Sequence, residues 1–280
     1  RGVLYLANHQ IDLESALFVS AAASLQGTVT TAIARQELGE SWIGPFFDTC
    51  FEHPQLRNPH MLLLIDRGSP EAVLQALAAA VKDAAAQARS LLVHVEGKHA
   101  LAARQEVEVV STSLIDLAVA NHMPIVPVRF LGGVPLEPVA APLAFPPGYG
   151  KQDFLIGAPL LPDTLSGLPS AARRAAVLGA LNGFDGRWRS EAPAEHADFA
   201  AAVAAWQGAK GVSEVQAVLW RTLTEAPDPS AETKVLLALA AGDTASAEAH
   251  ARELDPQRMR WLADASRSLF GPPFASGFEG

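Results

Sequence analysis

The sequence holds a single cysteine, Cys50, in 280 residues, so no internal disulfide can form and a reducing compartment is the expectation. Nothing around Cys50 would activate a thiol, and it reads as a packed core residue. Positive charge is also short: 21 Lys and Arg stand against 30 Asp and Glu, for a net charge of -9. That balance argues against a nucleic-acid binder, whose footprint should be basic, while leaving room for a local basic pocket. No apolar run reaches the roughly 18 residues that a membrane-spanning helix needs. The longest helical candidates, such as Ala72 to Val81, are alanine-rich and bounded by charge. Arg1 leads directly into a strand, so no secretory leader is visible in the sequence, and it does not open on a methionine. The sequence is therefore expected to be truncated at its N-terminus. Two motif families are missing as well. Without Gly-x-Ser-x-Gly there is no nucleophile elbow, and without His-Glu-x-x-His or a Cys/His cluster no metal is expected.

What is present is an alternation of apolar runs with helical periodicity. Val3 to Ala7 reads as a buried strand, and Leu13 to Leu25 as a helix closed by Gly27. Thr28 to Ala34 is a second strand. Gln36 to Asp48 is a short helix or lid with Leu38, Trp42, Ile43, Phe46 and Phe47 as its apolar payload. Met61 to Ile65 is an apolar strand ending in Asp66-Arg67-Gly68. Ser69-Pro70-Glu71 then supplies an N-cap, a first-turn proline and a first-turn acid for a helix running to about Arg89. Leu91 to Val95 is the next strand and ends in Glu96-Gly97-Lys98-His99. A helix over 110–121, a short strand over 124–130 and a further strand near Phe154 to Ile156 complete the pattern. Strands apolar on both faces, alternating with helices, predict an α/β domain with a largely parallel central sheet flanked by helices.

From about Ser170 the pattern becomes helical without strands. Candidate helices are 170–184, 194–207, 212–225, 230–241, 244–254 and 256–270, and no repeat period unites them. The expected division is an α/β domain over 1–165, an all-helical C-terminal region over 166–270 and a disordered Gly/Pro-rich tail over 271–280.

In parallel sheets ligands bind outside the carboxyl ends of the strands. Three predicted strands end there in polar clusters: Asn8-His9, Asp66-Arg67 and Glu96-Gly97-Lys98-His99. Together with Glu14 and the stretch Ile125-Val-Pro-Val128, in that order, these residues resemble the four blocks of the glycerolipid O-acyltransferase (PlsC-like) family. The resemblance covers about residues 3 to 135, and it is the order of the blocks that carries it. A weaker resemblance, over Asn8 to Ser15 and Ile125 to Val134, points to members associated with polyketide synthases.

The resemblance implies transfer of an acyl group from acyl-CoA or an acyl carrier protein to a glycerol phosphate, lysophosphatidic acid or related hydroxyl acceptor. His9 would be the general base. Its carboxylate partner in the family lies five residues on, which here is Glu14, one methylene longer than the usual Asp; Asp12 competes for that role, or caps the following helix. A neutral imidazole oriented by a carboxylate can deprotonate a hydroxyl directly, with no acyl-enzyme. Arg67, Glu96, Gly97, Lys98 and His99 would grip the acceptor or its phosphate, with Lys98-His99 in place of the family's Thr-Arg. No cofactor beyond the acyl donor is implied. The expected setting is cytoplasmic, with peripheral contact at the inner face of a membrane. His94, within a strand, reads as a satisfied core residue, and Pro124 and Pro127 suit an edge or bent strand. The rival readings are a carrier-domain-dependent, chain-releasing acyltransferase of a polyketide or lipid assembly line, and a non-catalytic lipid- or partner-binding relic.

Overall fold

A computed structural model describes residues 2–27, 29–55, 61–66 and 68–271. The chain divides into two compact units, Arg1–Gln36 with His60–His196, and Glu37–Pro59 with Ala197–Gly280. The first is an α/β unit around one six-stranded sheet. Its strands are β1 (Leu4–Ala7), β2 (Thr30–Arg35), β3 (Leu62–Ile65), β4 (Ser90–His94), β5 (Ile125–Leu131) and β6 (Asp153–Ile156), in the order β3-β2-β4-β1-β5-β6. All neighbours are parallel except β5 and β6.

β1 is central, and its four residues are buried on both faces. On one face Leu4 and Leu6 join a core with Val81 of α3 (Pro70–Ala86), Leu114 and Ile115 of α4 (Thr112–Ala120), and Leu181. On the other, Tyr5 meets Phe18 of α1 (Glu14–Gln26) edge to face, and Phe18 does the same with Phe130 and Phe154. Helix ends follow local chemistry. Ser69 caps α3 by accepting from the Ala72 N–H, with Pro70 in the first turn. Gly27 closes α1 in the left-handed region, at φ 63°.

β5 is an interior strand, where Pro124 and Pro127 had suggested an edge or a bend. Pro127 is tolerated because its nitrogen faces the β6 side just beyond the end of that strand. Its carbonyl there accepts from the Gly157 N–H, so the ladder to β1 loses no donor.

The division of the chain departs from the expected one in two places. Helix Ser170–Leu181 (α6) belongs to the α/β unit, with α5 (Pro162–Ser166) before it, since Leu165, Val177 and Leu181 complete its core. The segment that reads as a lid, containing α2 (Ile43–Phe51), belongs to the helical unit. That unit also holds α7 (Ala197–Lys210), α8 (Glu214–Thr224), α9 (Ala231–Ala240), α10 (Thr244–Ala251) and α11 (Pro256–Ala265). Its core is Val235, Leu236, Leu262, Leu269 and Phe270, with Phe46 of α2 packed against it. The Trp261 indole donates to the Thr49 carbonyl at 2.7 Å, tying α2 to α11. Cys50, on α2, is partly buried, and burial pushes its thiol up to about 11, away from reactivity. Among the described residues no helix is long and apolar enough to cross a membrane. The tail from residue 272 lies outside the described residues.

Candidate functional site

β1 lies between β4 and β5, so the carboxyl ends of these three strands are neighbours. His94 is the register partner of Ala7, two residues before His9, which places both imidazoles at one edge of the sheet. Asn8 does not reach into the site. Its side chain donates to the Phe130 carbonyl (3.0 Å) and accepts from the Phe130 N–H (2.7 Å), mimicking one more residue of strand pairing between β1 and β5. It thereby fixes where the chain leaves the sheet and where His9 begins.

The turn from His9 to Leu13 is closed by the first residue of α1. Glu14 is fully buried, and its Oε1 lies 2.6 Å from His9 Nδ1. The same carboxyl accepts from the Gln10 N–H at 2.8 Å, the Ile11 N–H at 3.4 Å and Gln152 Nε2 at 3.0 Å. Burial pushes the Glu14 carboxyl up to about 7, against the pull of His94 and of the two backbone N–H groups. Of the two candidate carboxylates, Glu14 is the one on His9. Asp12 neither meets that ring's Nδ1 nor caps α1, whose N-cap position is Leu13 without a side-chain cap. Its Oδ1 instead lies 3.1 Å from His99 Nε2, off the line of a hydrogen bond, so this buried nitrogen has no hydrogen-bond partner among the described residues.

Three imidazoles form a stack with His9 in the middle. His94 lies 3.8 Å from it between ring centres, with planes 19° apart, and His99 lies 3.7 Å away at 29°. The loop carrying His99 is pinned over the site by the Ala100 N–H donating to the His9 carbonyl at 2.6 Å. It follows a tight turn in which the Gly97 N–H donates to the His94 carbonyl and Gly97 takes φ 65°, a conformation that favours glycine. Glu96 is partly buried and accepts from the Glu108 N–H at 3.3 Å, while Lys98 is exposed on the turn. Of the acceptor residues named from the sequence, His99 alone is seen stacked on His9. Arg67 lies outside the described residues.

Several site residues carry no recognisable sequence signal. Glu191, 181 residues from Gln10, accepts from Gln10 Nε2 (2.8 Å), the Gly132 N–H (2.7 Å) and the Arg104 N–H (3.2 Å), and Gln10 Oε1 in turn accepts from the Gly133 N–H. This network backs the His9 turn from behind. Arg129 on β5 is buried too, over the Trp188 ring at 4.3 Å and donating to Asn182 Oδ1 and the Gln105 carbonyl. His94 is a core histidine with both nitrogens bonded, to the Asn8 carbonyl (2.6 Å) and Ser15 Oγ (2.7 Å), as its strand position suggests. Its stacking on His9 was not readable. A signal existed, since both are polar residues at strand ends, but neighbourhood of β1 and β4 is a property of sheet order.

Donor atoms of His9, Glu14 and His94 lie within 4.8 Å of one another. The set does not fit a metal ion. Imidazole lone pairs lie in the ring plane, and two nearly parallel rings 3.8 Å apart cannot both direct one at an ion roughly 2.1 Å away. Both nitrogens of His94 are engaged as well.

The cluster also makes stability depend on pH. Burial pulls the His94 pKa down from 6.5 to about 3, helped by His9. An unfolded His94 takes up a proton as pH falls below 6.5 and the folded one does not, so its contribution is fully present above 6.5 and is lost as pH falls towards 3. Glu14, raised from 4.5 to about 7, works in the opposite sense, stabilising most below 4.5 and losing that contribution as pH rises through 7. Subtracting His94→Gln from wild type isolates the first effect. Amide hydrogen exchange in β1 and β4 is expected to show the wild type losing protection relative to the variant as pH drops from 6.5 to 4. Parallel profiles would mean that His94 charges freely in the fold.

No protein-family model matches the chain, and no curated protein matches it.

Proposed function

We propose that this protein is an O-acyltransferase that moves an acyl group from a thioester, acyl-CoA or an acyl carrier protein, to a hydroxyl acceptor by general-base catalysis. The observation that carries this reading is the 2.6 Å contact between His9 Nδ1 and Glu14, at the carboxyl edge of a parallel sheet. With its Nδ1–H directed to Glu14, neutral His9 has its lone pair on Nε2, and the ring keeps some exposure to solvent at 17 %. Nε2 would take the proton of the acceptor hydroxyl as its oxygen attacks the thioester carbonyl carbon. The C–S bond then breaks, and the proton on Nε2 passes to the departing thiolate. The carboxylate stabilises the imidazolium in between, and no serine ester is required.

On the acceptor, the surroundings of His99 favour an uncharged alcohol over a phosphate monoester. The imidazole that stands where the resembled family has an arginine lies against the Asp12 carboxylate, and a dianion brought there would meet that charge.

Thiol release from acyl-CoA and from acyl carrier protein tests both parts, with glycerol, monoacylglycerol, glycerol phosphate and lysophosphatidic acid as acceptors. Turnover is expected, with neutral acceptors ahead of their phosphorylated counterparts. No turnover with any pair would sink the acyl-transfer reading, and preference for the phosphorylated acceptors would sink the reading of His99 and Asp12.

A further inference from the structure

His94 forms one face of the His9 stack, yet the chemistry just described does not use it. It is the last residue of β4, anchored at one nitrogen by a carbonyl and at the other by a hydroxyl. Because the Asn8 carbonyl can only accept, Nδ1 carries the proton, and Nε2 accepts from the Ser15 hydroxyl. The ring is thus held by two bonds from two elements, parallel to His9 at 3.8 Å.

We propose that His94 is a positioning residue for His9, a fixed uncharged imidazole whose π face keeps the His9 ring in line with Glu14 and stabilises the positive charge His9 acquires on taking the acceptor proton. The inference rests on the reading of His9 as the base. A cation over the face of a neutral aromatic ring is attracted by its quadrupole. The other groups facing His9 are Glu14 in the plane of its ring and His99, with its neighbour Asp12, on the opposite face. The low proton affinity of His94 keeps it neutral across the range in which His9 would work.

Three substitutions separate the face from the hydrogen bonds. His94→Ala removes both, His94→Gln can keep both bonds but has no ring, and His94→Phe keeps a ring without the bonds. Titration of the His9 imidazole by NMR is expected to show its pKa lowered by roughly half a unit to one unit in His94→Ala and His94→Gln. In His94→Phe it should stay near wild type. The acid limb of kcat/KM should move by the same amount, with kcat falling roughly tenfold and KM little changed. An unchanged or raised His9 pKa in His94→Gln would overturn the proposal, and that variant suffices if His94→Ala fails to fold. Covalent labelling of Ser15 by a fluorophosphonate, abolished by His94→Gln, would also overturn it, because His94 would then be a base for Ser15. The titration needs no turnover. An inactive wild type would defeat the acyl-transfer reading, while the NMR shift would still decide this one.

Discussion

Replacing His9 by alanine is expected to lower acyl-transfer kcat about 10²–10⁴-fold with the fold intact, the range a positioned general base supplies. The fold should survive because the ring is not what closes the β1–α1 turn. That turn is held by backbone N–H groups of Gln10 and Ile11 on Glu14, by Asn8 on Phe130, and by Gln10 on Gly133. Glu14→Gln removes the charge opposite the forming imidazolium while leaving a side chain of similar shape, and roughly a hundredfold loss is expected. Asp12→Asn touches a carboxylate that faces His99 rather than His9, so it should change kcat by less than about threefold. Steady-state kinetics on the three variants decide the matter. Equal losses for Glu14→Gln and Asp12→Asn would mean that the carboxylate on His9 is not the working one, and wild-type turnover by His9→Ala would end the general-base reading.

The choice between those carboxylates shows where sequence reasoning reaches its limit. The alternation of buried strands with helices was legible because both faces of β1, β4 and β5 are covered, which leaves apolar runs without alternation. The polar residues at their ends stood out against such runs. Spacing alone could not decide whether Asp12 or Glu14 turns towards His9, because that depends on where α1 begins. It begins at Glu14 rather than at Leu13, which turns the Glu14 carboxyl back over the loop. Sheet order was also illegible. The sequence offers β1 and β4 as separate strands, and only their pairing places His94 and His99 on either side of His9. The lid-like segment misled for a related reason. Its aromatic payload states that it must be covered, but not that Phe46 packs against a core more than 180 positions away.

Glu191→Ala is expected to be the most destabilising single change near the site, at about 3–5 kcal/mol, the usual cost of breaking a buried, hydrogen-bonded charge. Three donors lose their acceptor at once, Gln10 Nε2 and the N–H groups of Gly132 and Arg104, and each buried donor left unpaired costs about 1–3 kcal/mol, not additively. Charge adds to this. Burial pulls the Arg129 guanidinium down from its ordinary range, and Glu191 is the carboxylate that most opposes the pull. A guanidinium does not deprotonate, so without Glu191 it remains a buried charge with less compensation. Glu191→Gln can keep the bonds to Gly132 and Gln10 while discarding the charge, and should cost clearly less. Urea unfolding, followed through amide exchange at Gly132 and Gly133, gives both values. A loss below about 1 kcal/mol for Glu191→Ala would show that water or rearranged side chains replace the carboxylate. The network would then not be what holds Gln10, and through it the turn that presents His9, in place. If the loss is as large as expected, kcat of Glu191→Gln becomes the sharper measurement: a folded protein with a slackened turn should lose rate through His9 while its global stability is largely kept.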